Sequence, residues 1–287
     1  MLLTSILLSC PTFAQTDFSG PWASLRLHEE GWEEPIGDYA GLPVNEAIRM
    51  RADTWTPSLL TLPEHQCKPH GADRIDNFLN LRVWKEVDLP TQRVIAYHLN
   101  VSWMNMHRVI YMDGHPHPPD YAAHSFMGFS TGAWDGNQLV VKTTHMKEQW
   151  LRRNGLPRSE KATLTERFMR HGDYLTWVFI VEDPAYLTEP YIRSRQFRYD
   201  PNQPPFDPYP CEPVEEVVRP RGEVPHHLPG TNPDLAQFPK QYGLPEEAAR
   251  GGAETMYPEY QRWLSGLVRW DATPVSSRRP DSERDER

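Results

Sequence analysis

GFSTGAWDGNQLVVKTTH, residues 128–145, reads as two β-strands joined by a tight turn. Asp135-Gly136-Asn137 supplies residues that tolerate the positive φ of short hairpin turns. Ser125 to Trp134 on one side and Gln138 to His145 on the other carry the β-branched and aromatic residues that suit a pleated surface. Working outward, the same two-residue period recurs. Phe78–Trp84, Arg93–Ser102 and His107–Met112 precede the turn at Asp113-Gly114 and the loop HPHPPDYAAH at 115–124. Ala162–Arg170 and Asp173–Glu182 form a second hairpin across His171-Gly172, and Tyr191–Tyr199 adds one more strand. Consecutive hairpins predict a mainly β fold, an antiparallel meander that closes into a barrel or half-barrel.

The rest of the chain is organised around that meander. Pro43–Trp55 has helical character, and Met146–Arg153 reads as one or two helical turns ended by Asn154-Gly155. The 29 Pro and 10 Trp of the 287 residues favour ordered coil pinned by aromatic packing over helix bundles. Most of that coil falls in residues 200–245. The expected organisation is a signal peptide at 1–15, a barrel-like domain with a Pro-rich extension at 16–245, a C-terminal helix at 246–275 and a disordered tail at 276–287.

Residues 1–15, MLLTSILLSCPTFAQ, carry a short apolar run ending in Thr12-Phe13-Ala14, the pattern of a cleaved export signal. The alternatives are a lipid anchor on Cys10 through Leu7-Leu8-Ser9-Cys10 and a buried N-terminal segment. The export and anchor readings both predict a periplasmic or secreted protein. Beyond this segment no apolar run is long enough for a membrane span. The net charge of -9 argues against nucleic acid, whose phosphates select basic faces. Cys67 and Cys211 are expected to pair in an oxidising compartment, the alternative being two separate buried thiols. A homodimer is compatible with the sequence.

Several motifs go together: Arg108-Val109-Ile110-Tyr111-Met112-Asp113-Gly114, Pro116-His117-Pro118, the 128–141 hairpin, Gly155-Leu156-Pro157-Arg158-Ser159, Thr165-Glu166-Arg167-Phe168 and Asp183-Pro184. With them, residues 17–199 resemble a widespread family of secreted bacterial proteins of unassigned function. The resemblance implies membership and export rather than a reaction. The commoner pattern has Arg at the position of His115 and Gly-Phe at Thr144-His145, so this chain carries extra histidines. Gly20-Pro21-Trp22 ahead of a meander also resembles the opening of lipocalin-like (calycin) barrels.

Candidate chemistry follows from residue type and strand parity. Gly128-Phe129-Ser130-Thr131-Gly132 matches the G-x-S-x-G nucleophile elbow, but a hairpin follows where the elbow needs a helix, so the glycines read as relief for strand bending. His115, His117 and His124, with His145, could ligate zinc or another divalent metal; otherwise no cofactor is expected. Alternation puts Leu139, Val141, Thr143 and His145 on one face, and Leu164, Glu166 and Phe168 on one face. A carboxylate among apolar neighbours needs a partner. His145 and Glu166 are therefore the expected acid–base pair, with His107, Tyr111 and Arg193 placing a substrate. His98, Trp134, Trp177 and Arg195 are expected to contact a small-molecule ligand. Three readings stand: a lyase, isomerase or hydrolase without a cofactor, a binding barrel for an aromatic or hydrophobic ligand, and a His-ligated metalloenzyme.

Overall fold

The computed structural model describes residues 16–25, 34–58, 62–75, 80–207, 209–214, 218, 220–222 and 224–267. The expected export signal with Cys10, and the expected tail, lie outside them. In chain order the elements are β1 (Gly20–Leu25), α1 (Glu46–Asp53), β2 (Leu81–Asp88), β3 (Arg93–Val101), β4 (His107–Tyr111), β5 (Phe129–Asp135) and β6 (Gln138–Thr144). There follow β7 (Gln149–Arg152), β8 (Leu156–Arg158), β9 (Thr163–His171), β10 (Tyr174–Glu182), β11 (Tyr191–Tyr199), α2 (Gln237–Tyr242), α3 (Glu246–Ala249) and α4 (Pro258–Leu267).

Nine strands close into a barrel in the order β1-β11-β10-β9-β6-β5-β4-β3-β2. The 128–145 hairpin forms as read, with Trp134 opposite Leu139 and Asp135 opposite Gln138. The meander is not wholly antiparallel: β4 and β5 run parallel, Ile110 opposite Ser130 and Tyr111 opposite Thr131. A two-residue turn can only reverse a chain, but the long Pro-rich loop between them carries it back to the starting end before β5 begins. Among the described residues no helix is long and apolar enough to cross a membrane.

Two helical expectations are corrected. Residues 149–152 form β7, which pairs with β8 as a separate two-stranded sheet. Gln149, Trp150 and Leu151 are all buried, so the alternation that marks a strand is lost there. Gly155 turns this hairpin at φ 98°, where a Cβ would lie 3.0 Å from Trp55 Cβ on the segment following α1. The C-terminal region is not one helix: α3 ends at Ala249, a 3-10 turn spans Ala253–Met256, and α4 starts at Pro258. Gly251-Gly252 breaks the helix that the flanking residues favour, and residues past Leu267 lie outside the described set.

The barrel interior is a packed core. β9 and β10 alternate as read, turning Leu164, Phe168, Leu175, Trp177 and Phe179 inward to meet Trp22, Leu81, Leu99, Ile110, Val141 and Phe197. Each such side chain contributes about 1.5–3 kcal/mol by leaving water. Phe18 stacks on Trp134 at 5.5 Å between centroids and packs against Tyr97 and Phe168. Cys67 and Cys211 form a disulfide across 144 positions, tying the Pro-rich coil to the body of the protein.

An ion pair sits within this core. Arg108 on β4 is 1% exposed and Glu166 on β9 is 0% exposed. Arg108 Nη1 donates to Glu166 Oε1 at 2.7 Å, and Nη2 to Glu166 Oε2. Arg108 Nε donates to Ser130 Oγ at 3.0 Å, Nη2 also reaches Thr143 Oγ1 at 2.6 Å, and Trp177 Nε1 donates to Glu166 Oε1 at 3.1 Å. Removing one member strands a buried charge and is expected to cost about 3–5 kcal/mol, whereas replacing both with apolar residues avoids that penalty. In denaturant titrations, Arg108→Met and Glu166→Leu should each destabilise by that amount, and the double variant should recover most of the loss. Single variants within about 1 kcal/mol of the parent would contradict the assignment.

Candidate functional site

The structure does not bring His145 to Glu166. Alternation holds through Thr143, which points inward to Arg108 and Glu166. β6 then ends at Thr144, and His145 takes a left-handed φ of 57°, so the inward parity does not reach it. The imidazole turns instead to the loop of residues 115–124. Glu166 has every carboxylate contact inside the barrel. The serine of Gly128-Phe129-Ser130-Thr131-Gly132 is likewise held inside, between Arg108 and Thr143. Its glycines have packing roles: a Cβ on Gly128 would sit 2.4 Å from the Thr144 carbonyl oxygen, and one on Gly132 2.5 Å from Met112 Sδ.

The other expected site residues are dispersed. Trp177 is wholly buried and serves Glu166, while Trp134 packs on Phe18. Arg193 lies 4.2 Å over the Phe179 ring and donates to the Asp73 carbonyl. Arg195 pairs in register with Trp177 across β10 and β11. Tyr111 packs on Phe129 and His115 on the outer wall, and His115 meets Asp113 at 2.5 Å. His98 and His107 share another part of that wall, beside Trp84. His115 therefore does not converge with His117 and His124. Among the described residues no group of three or more His, Cys, Asp or Glu side chains is set to hold a metal ion.

What the structure does assemble is a cavity of about 540 Å³ against the outer wall, where β6 ends and β9 begins. His117, Asp120, His124, His145, Glu160 and Lys161 line it. Behind them runs a continuous line of hydrogen bonds. Thr131 Oγ1 lies 2.9 Å from His117 Nε2, His117 Nδ1 2.8 Å from Thr144 Oγ1, Thr144 Oγ1 2.8 Å from His145 Nδ1, and His145 Nε2 3.0 Å from the Pro119 carbonyl oxygen.

Elementary chemistry gives this line a direction. A carbonyl oxygen only accepts, so His145 Nε2 donates to Pro119. With both rings neutral, His145 Nδ1 then accepts the Thr144 hydroxyl proton. Thr144 accepts from His117 Nδ1–H, and His117 Nε2 accepts from Thr131. Burial, aided by the nearby Lys142 ammonium, holds His117 below the ordinary histidine range and favours this neutral form. His124 is different: it stacks on His145 at 5.2 Å between centroids, and among the described residues its nitrogens make no hydrogen bond. The side chains of Asp120, Glu160 and Lys161 likewise make no ion pair among the described residues.

Sequence reasoning missed Thr131, Thr144 and Lys161. Outward parity on β5 and β6 was the available signal for the two threonines, since the residue beside an inward-facing Ser130 or Thr143 must face out. No protein-family model matches the chain, and neither a curated protein nor a solved structure matches it.

The pH dependence follows from His117. Its folded-state pKa lies below the unfolded value of 6.5, so the unfolded chain takes up the proton first as pH falls. The stabilisation is fully present above that value and is lost as pH falls from it toward the lower folded-state pKa. His107, lowered by burial and by His98, acts in the same sense. Thermal melts should show a lower Tm at about pH 5.5 than at about pH 7.5, and His117→Gln should flatten that slope. An unchanged slope in His117→Gln would contradict the half-buried, neutral assignment.

Proposed function

We propose that this is an exported protein whose outer-wall cavity exchanges protons with a small polar substrate, in the manner of a lyase, isomerase or hydrolase that needs no cofactor. The observation that carries the proposal is His124, an imidazole whose nitrogens are unengaged among the described residues, stacked on a His145 whose nitrogens are both fixed. His124 is the group that takes or gives the proton. His145, held by Thr144 and Pro119, positions the His124 ring. The Lys161 ammonium suits an anionic group of the substrate, and Asp120 or Glu160 suits a cationic or hydroxyl group. The bridged Cys67 and Cys211 support an oxidising compartment.

This reading places no chemistry on Glu166. A carboxylate already accepting from Arg108, Thr143 and Trp177 has no lone pair to offer a substrate, and the packed interior supports no hydrophobic ligand there. A non-catalytic use of the outer cavity is distinguished by experiment. The purified protein is incubated with defined mixtures of small hydroxy, keto and amino acids and followed by proton NMR. Turnover of at least one compound is expected, reduced about 100-fold or more in His124→Gln and less in His145→Gln. Turnover unchanged in His124→Gln, or binding without any turnover, would overturn the catalytic reading.

A further inference from the structure

A second histidine pair lies on the outer wall across β2, β3 and β4. His98 Nδ1 and His107 Nε2 are 3.1 Å apart, and His98 Nε2 is 3.1 Å from Glu86 Oε2. The two imidazole planes differ by 3°, with centroids 5.2 Å apart. That spacing, taken with the short nitrogen contact, describes coplanar rings meeting edge to edge rather than face to face. Trp84 runs parallel to both, within 4° of His98 and 5° of His107, at 5.2 and 5.4 Å. It is 44% exposed.

Two in-plane ring nitrogens, His98 Nδ1 and His107 Nε2, thus face one another at the protein surface. Nitrogens bound to a single ion at about 2.0–2.1 Å, at cis-octahedral or tetrahedral angles, stand about 3.0–3.4 Å apart. The observed separation falls in that interval without rearrangement of the strands. Glu86 accepts from His98 Nε2–H, which fixes the tautomer with its lone pair on Nδ1, toward His107. This is the carboxylate–histidine arrangement that supports a metal ligand from behind. We propose that His98 and His107 form a two-histidine site for a late first-row divalent ion, with water completing the coordination and Glu86 as a positioning residue. Imidazole donors select Cu(II), Ni(II) or Zn(II) over Mg(II) or Ca(II).

The proton balance is simple. In the metal-free pair, His107 Nε2–H donates to His98 Nδ1, since His98 Nε2 keeps its proton for Glu86. On binding, the proton on His107 Nε2 leaves to water and another is taken up at Nδ1. The neutral pair therefore loses no net proton, whereas a pair carrying one extra proton releases it. Binding weakens as pH falls, because protons compete with the ion for the ring nitrogens.

The test is a Ni(II) titration of the intact protein at about pH 7.5, followed by calorimetry and by tryptophan fluorescence, with Mg(II) as the control. One Ni(II) is expected to bind at this site and quench part of the emission, with no response to Mg(II). His107→Gln should weaken that binding at least about tenfold, since it removes one of two protein ligands, and Glu86→Ala should weaken it by a comparable factor. Trp84→Phe should retain the calorimetric binding and lose the quenching. All three side chains face outward, so these variants leave the core intact. Quenching and affinity unchanged in His107→Gln, or no Ni(II) binding in the parent protein, would overturn the proposal.

Discussion

A charge pair sealed inside the barrel constrains everything else. Arg108 and Glu166 have been taken out of water, and a bare carboxylate or guanidinium in such a place would be prohibitively unfavourable. Their retention requires that donors and acceptors match closely. Ser130 of β5, Thr143 of β6 and Trp177 of β10 complete that match, so the pair ties five adjacent strands into one register. A one-residue slip of any of these strands would replace a partner with an outward-facing residue. The same contacts engage both oxygens of the Glu166 carboxylate, and aromatic side chains pack around it.

The interior and the outer cavity are coupled by strand parity. On β5, Ser130 faces in to Arg108 and Thr131 faces out to His117. On β6, Thr143 faces in to Arg108 and Thr144 faces out to His117 and His145. Two neighbouring residues on each strand thus hold two polar networks, one dry and one at the surface. A rigid interior is what fixes the spacing of the outer hydroxyls, and those hydroxyls hold the histidines.

Much of the barrel was legible in the sequence because half-buried strands alternate, and β6, β9 and β10 do so. The turns at Gly136 and Gly172 were legible because their positive φ calls for glycine. Where both faces of a strand are covered the signal disappears, as at Gln149-Trp150-Leu151 in β7. The parallel pairing of β4 with β5 was hidden because a Pro-rich loop does not reveal where it returns. The C-terminal stretch from residue 246 reads as one helix because its residues favour helix on either side of Gly251-Gly252. The carboxylate of Glu166 was rightly placed among apolar side chains, but its partner Arg108 sits on a strand far away in sequence. His145 failed for a different reason: parity ends where the strand ends, and its φ of 57° turns the ring away. The Gly155–Ser159 and Asp183 motifs have structural roles, since Arg158 pairs with Asp73 at 3.1 Å and Ser159 Oγ donates to Asp183 at 2.7 Å.

The proposed site depends on a directed line of hydrogen bonds through His117 and His145 on the outer wall, against which His124 stacks. Nitrogen-15 NMR of the imidazole groups at neutral pH tests it most directly, because protonated and bare ring nitrogens resonate far apart. The account predicts neutral rings, with the proton on Nε2 in His145 and on Nδ1 in His117. A His145 that carries its proton on Nδ1, or two rings that are both cationic at that pH, would contradict it.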